Sequence, residues 1–164
     1  MAPRNVSLIA YRNAASQRAH FAIFVPTASD QDRGTMIHVV GAPMAGYRLD
    51  YIPDLRSGKS TLNTSFQIRI LRPRWSQTPP PSVQLKFAAT QIPPPAISQN
   101  FLAPVNDTTN RRCQEWTMDY VHCLVHHQYL NENAIQIVQS ARDPPNHGVG
   151  LNPVGGGRGR GRGQ

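Results

Sequence analysis

Long apolar runs are missing from this 164-residue chain, and no stretch approaches the ~20 consecutive apolar residues of a membrane-spanning helix. The opening "MAPRNVSLIAYRNAASQRA" carries no continuous apolar core, so no secretory signal is expected there. Cysteine is scarce. Cys113 and Cys123 are the two present, which is no disulfide framework, and on one helix they would stand roughly 15 Å apart, too far to bridge. A reducing compartment, cytoplasmic or nuclear, is the expectation. Acidic residues are also few, 9 against 17 basic ones, for a net charge of +8. Such a surface favours acidic partners, including nucleic acid, without requiring them.

Proline and glycine are abundant, at 15 and 12 residues, but unevenly placed. They separate a strand-rich first half from a helical second half. "NVSLIAYR" and "HFAIFVP" read as strands, the second ended by Pro26. "TMIHVVG" follows a polar turn, so these two runs are expected to form an antiparallel hairpin. "GYRLDYIP" alternates Arg48 and Asp50 with Tyr47, Leu49 and Tyr51, the period of a half-exposed strand. "SFQIRILRP" alternates, and so does "VQLKFAA", with Val83, Leu85 and Phe87 on one face; both are read as strands. "SQTPPPS" and "TQIPPPAISQNFLAPVNDTT" are read as irregular connectors.

"NRRCQEWTMDYVHCLVHHQYLN" runs some twenty residues without Pro or Gly. Cys113, Trp116, Thr117, Tyr120 and Leu124 recur at helical spacing, and Asn110 or Thr109 can cap the start. "NENAIQIVQSARD" predicts a second helix, beginning near Asn131 or Asn133 and stopped by Pro144-Pro145. The layout is α+β: one domain over residues 1–145, then a Gly/Arg-rich tail over 146–164 read as disordered.

Three residues could carry chemistry together. By strand parity His20 and His38 share a sheet face if the hairpin pairs in a suitable register. Cys113 opens a helix, where free N–H groups and the dipole stabilise a thiolate, and Arg111 and Arg112 add positive potential. Nucleophile, base and orienting group are the residue types of acyl transfer, and the Cys113 N–H could serve as one oxyanion donor. The bland alternatives are a strand-end His20, a half-buried His38 and a Cys113 that is simply a small core residue. Cys123, mid-helix, reads as structural. His122, His126 and His127 lack a third ligand on their face, so no metal or other cofactor is expected.

"HFAIFV … MIHVVG … NRRCQEWTMDYV" resembles the permuted members of the NlpC/P60 papain-like superfamily, the lecithin retinol acyltransferase-like and H-Rev107-like enzymes. A His opens an apolar strand, a second His follows on the next strand, and a Cys comes much later at a helix start. The resemblance implies a circularly permuted papain-like fold, an antiparallel sheet packed on a Cys-bearing helix. It implies Cys113 as nucleophile, His20 as base and His38 as orienting residue of a cysteine hydrolase or acyltransferase. Arg112 and Gln114-Glu115-Trp116 stand where the acyltransferases have Asn and Glu-His-Phe. Acyl, peptide and small-metabolite substrates all stay open. The competing expectation is a non-catalytic module of the same fold that meets nucleic acid or a protein through its basic surface and Arg-Gly tail.

Overall fold

A computed structural model describes residues 5–27, 29–56, 63–69 and 81–149, with the backbone alone for 63–69 and 81. Five strands and three helices lie within these residues. They are β1 Asn5–Tyr11, β2 His20–Pro26, β3 Arg33–Ala42, β4 Gly46–Arg56 and β5 Asn63–Arg69, then α1 Pro81–Thr90, α2 Cys113–His126 and α3 Asn133–Ala141. The strands form one sheet in the order β4-β3-β2-β1-β5. Every neighbouring pair is antiparallel. The protein is therefore α+β, with an antiparallel sheet packed against helices, one of which begins at Cys113.

β2 is the middle strand, and this explains its composition. Flanked on both edges, it is buried from Phe21 to Pro26, with His20 alone half-exposed. A strand covered on both faces reads as a continuous apolar run rather than an alternating one. Phe21, Ile23 and Val25 join Val6 and Leu8 of β1 and Ile37 and Val39 of β3 on the helix side. Trp116, Tyr120 and Leu124 of α2 fill the other half of this core, with Leu85 and Ala89 of α1 and Ala134 and Val138 of α3.

The segment "VQLKFAA" is helix, not strand. Pro81 takes the first helical position, where its missing N–H costs nothing. Leu85, Ala88 and Ala89 are the buried positions, a helical i, i+3, i+4 set, while Val83 and Phe87 are 46% and 68% exposed. Tyr120 and Tyr51 donate their hydroxyls to the carbonyls of Leu85 and Lys86, at 2.7 and 3.1 Å. "SQTPPPS" lies largely outside the described residues.

The start of α2 differs from the cap expected. Arg112 is the N-cap, and its backbone N–H donates to Glu115 Oε2 at 3.0 Å. Asn110 is occupied elsewhere: its side-chain amide donates to the carbonyls of Ala103 and Pro104. The irregular segment between α1 and α2 is pinned. Trp116 Nε1–H donates to Ile92 O, Tyr47 N–H to Pro95 O and Val105 N–H to Pro145 O.

A buried polar knot joins α2 to the ends of the domain. Glu115 is 1% exposed and pairs with Arg18 and Arg142, both at 3.0 Å. Asp143 accepts from Ala19 N–H at 2.7 Å, from Gln114 Nε2 at 2.8 Å and from Arg12 at 3.0 Å. Residues 146–149, assigned from sequence to the tail, include His147, whose Nε2 lies 3.2 Å from Gln17 O. The rest of the tail lies outside the described residues. Among those residues no helix is long and apolar enough to cross a membrane.

Candidate functional site

The two histidines meet. His20 Nε2 lies 2.8 Å from His38 Nδ1, with the rings edge-on at 5.1 Å between centroids. The sheet arranges this. The β2–β3 register runs from Pro26 opposite Gly34 to Ile23 opposite Ile37. Continued, it sets position 22 across from His38, so His20 is the diagonal neighbour, within reach of an aromatic side chain. The Tyr11 ring packs against His20 at 4.9 Å from the β1 side, where the two residues pair directly.

A third group, not singled out as a site residue from sequence, completes a line. Asp50 on β4 is paired directly with His38. Its Oδ2 lies 3.6 Å from His38 Nε2, and Asp50 is partly exposed while His38 is buried. His38 Nε2 is buried without a hydrogen bond. The signal was available: once the β3–β4 turn is placed at Ala42 opposite Gly46, antiparallel pairing counts back to His38 opposite Asp50. Burial lowers the pKa of His20 from 6.5 to about 4, with the neighbouring His38 acting in the same direction. Burial also lowers that of His38, against the opposing pull of Asp50.

Cys113 stands at the first position of α2 and is 9% exposed. Its Sγ–H donates to Ala19 O at 3.8 Å, and the backbone N–H groups of Phe21 and Gln114 act on the sulfur. The thiol thus lies against the backbone on either side of His20. It makes no hydrogen bond to the imidazole of His20 or of His38. Alternation is the reason: Phe21 faces the helices, so the His20 ring departs from the opposite side of the strand.

The thiol is not activated at rest. Burial pushes its pKa up from 9.0 to about 11, and Glu115 adds to this. Arg18 and the two N–H groups pull the other way. A shift of two units corresponds to roughly 2.7 kcal/mol against the thiolate. A helix terminus returns about 0.3–1 kcal/mol in ordinary settings, so desolvation wins over the dipole. Burial raises the phenols of Tyr11 and Tyr47, and a thiolate at Cys113 would raise both further.

The other sequence candidates fall away from this point. Cys123 is half-buried against the core, while His122, His126 and His127 are exposed. Among the described residues no group of three or more His, Cys, Asp or Glu could hold a metal ion.

Residues 6–131 match the family of unknown function DUF6540. The chain belongs to this family. The matched span runs from β1 through α2 to Asn131 and takes in His20, His38, Asp50 and Cys113. No curated protein and no solved structure matches the chain.

Proposed function

We propose that this protein is a cysteine-dependent hydrolase or acyltransferase of the permuted papain-like, NlpC/P60-like type. Its substrate would be an amide, ester or thioester, handled through an acyl-thioester on Cys113. The observation that carries the reading is the 2.8 Å contact of His20 with His38, directly beside the Ala19 and Phe21 backbone that holds the thiol.

In this reading Cys113 gives its proton to His20, and the thiolate attacks the carbonyl carbon of the substrate. The carbonyl oxygen takes the electron pair and is met by free N–H groups at the start of α2. The intermediate collapses, the leaving group departs with the proton from His20, and a thioester remains. Water or an amine then attacks the thioester, His20 again takes and returns the proton, and Cys113 recovers its S–H. His38 holds the His20 ring. Since the resting S–H points to Ala19 O and the His20 ring leaves β2 on the side away from the helices, the cycle begins only when substrate binding turns the thiol, brings the imidazole round the start of β2 and closes the gap between a thiol near 11 and an imidazole near 4.

The resting thiol, hydrogen-bonded to Ala19 O and to neither imidazole, favours a second reading, a non-catalytic module that binds nucleic acid or a protein through its basic surface and tail. One experiment separates the two. The protein is incubated with a panel of activated esters, thioesters and peptide amides, and intact mass and turnover are followed. An acyl adduct on Cys113, lost in Cys113→Ala and diminished in His20→Ala, supports the enzyme. Identical behaviour of wild type and Cys113→Ala across the panel removes it.

A further inference from the structure

We propose that Asp50 is a positioning residue, fixing the tautomers of the His38–His20 pair so that His20 offers a bare Nδ1 as its base nitrogen. This rests on the reading of His20 as the base, but its physical content is testable without any activity.

Donors and acceptors set the tautomers. Both imidazoles are held neutral at neutral pH by burial, so each carries one N–H. Their 2.8 Å contact uses one donor and one acceptor, which leaves two arrangements. In the first, His20 Nε2–H donates to His38 Nδ1. His38 then bears its proton on Nε2 and His20 has a bare Nδ1. In the second, His38 Nδ1–H donates to His20 Nε2. His38 Nε2 is then bare, and His20 Nδ1 is protonated and useless as a base.

Asp50 decides between them. A carboxylate only accepts, and Asp50 Oδ2 sits 3.6 Å from His38 Nε2. In the second arrangement two lone pairs face each other across that gap, and a buried ring nitrogen stays unpaired. In the first, Nε2–H points at the carboxylate, and a small side-chain movement makes a charge-assisted hydrogen bond. Sequence pairing and burial thus select the first. The line then reads Asp50, His38 Nε2–H, His38 Nδ1, His20 Nε2–H, with His20 Nδ1 left over. His20 Nδ1 makes no hydrogen bond within the described residues. The Tyr11 ring beside it holds the imidazole plane without competing for a proton.

The test is nitrogen NMR of the imidazoles at neutral pH, on uniformly labelled full-length protein. Wild type is expected to show a pyridine-like His20 Nδ1 and a pyrrole-like His38 Nε2. In Asp50→Asn, whose amide can donate to a bare Nε2, His20 Nδ1 is expected to gain pyrrole character. Asp50→Glu is expected to keep the wild-type pattern. A pyrrole-like His20 Nδ1 in wild type overturns the proposal, and so does a pattern unchanged in both Asp50→Asn and Asp50→Ala. Because Asp50 is partly exposed, circular dichroism serves to show that the variants remain folded. If the tautomers behave as expected but the ester panel leaves Cys113 untouched, the function reading fails and this one stands. Where Cys113 does react, Asp50→Asn is expected to slow it at least about tenfold. That is well short of the roughly 10⁴-fold seen when the buried carboxylate of a serine triad is replaced by its amide.

Discussion

His20 Nε2 and His38 Nδ1 lie 2.8 Å apart, across two strands whose regular pairing stops at Ile23, three positions short of His20. Both rings are withdrawn from water enough to stay neutral. The pair is therefore unprotonated but only weakly basic at neutral pH, and a liability in acid.

That liability has a direction. His20 in the folded protein titrates at about 4, against 6.5 for an ordinary histidine. Between those values the unfolded chain binds a proton that the native one refuses, so stability falls as pH drops from about 6.5 toward 4. The loss for His20 is up to roughly 3 kcal/mol. His38, also lowered, acts with the same sign, while Asp50 facing it offsets part of the effect. Urea unfolding at pH 7.5, 6 and 5 should show this decline, and His20→Gln should flatten it. Equal acid slopes in both proteins would refute the assignment.

The knot around Glu115 is expected to dominate folding. Arg18→Met leaves a 1%-exposed carboxylate with Arg142 as its remaining cation, and Arg142 also serves Asp107. Breaking a buried pair costs about 3–5 kcal/mol. For a domain of this size that lowers the thermal midpoint by on the order of 10 °C. A calorimetric midpoint within a degree or two of wild type would show that the knot carries little.

Gly41 has φ near +151°, and a Cβ there would come 2.1 Å from Gly46 O. Gly41→Ala is expected to cost more than 2 kcal/mol, because backbone rather than a flexible side chain must move. Since Gly41 lies in the hairpin carrying His38 and Asp50, the His20–His38 nitrogen signals should broaden or split as well. Unchanged stability and unchanged signals would mean that the turn adapts freely.

How much of this was legible follows from the range of each interaction. The β2–β3 hairpin and the shared face of His20 and His38 come from period-2 alternation, a local property, and the sequence reading anticipated both. α1 reads as a strand from sequence because Val83, Leu85 and Phe87 also alternate. What distinguishes the helix is the burial of Ala88 and Ala89, small residues that carry weak pattern signal. Asp50 was visible as a polar strand position but not as a partner of His38, which needs the register of the next hairpin. The Arg18–Glu115 and Ala19–Asp143 contacts join residues 97 and 124 positions apart, beyond any spacing rule. The place of Cys113 at a helix start is legible in the sequence, but the desolvation that outweighs the helix dipole depends on tertiary burial.

The central claim is that His20 serves the thiol of Cys113. The most direct measurement is the rate of acylation at neutral pH by the most reactive ester or thioester of the panel, mapped separately at Cys113 and Cys123, in wild type and His20→Ala. The account predicts that Cys113 slows in the variant on the order of 100-fold, a general-base contribution, while Cys123 does not change. Equal rates at Cys113 in both proteins, or complete protection of Cys113 in both while Cys123 reacts, would contradict it.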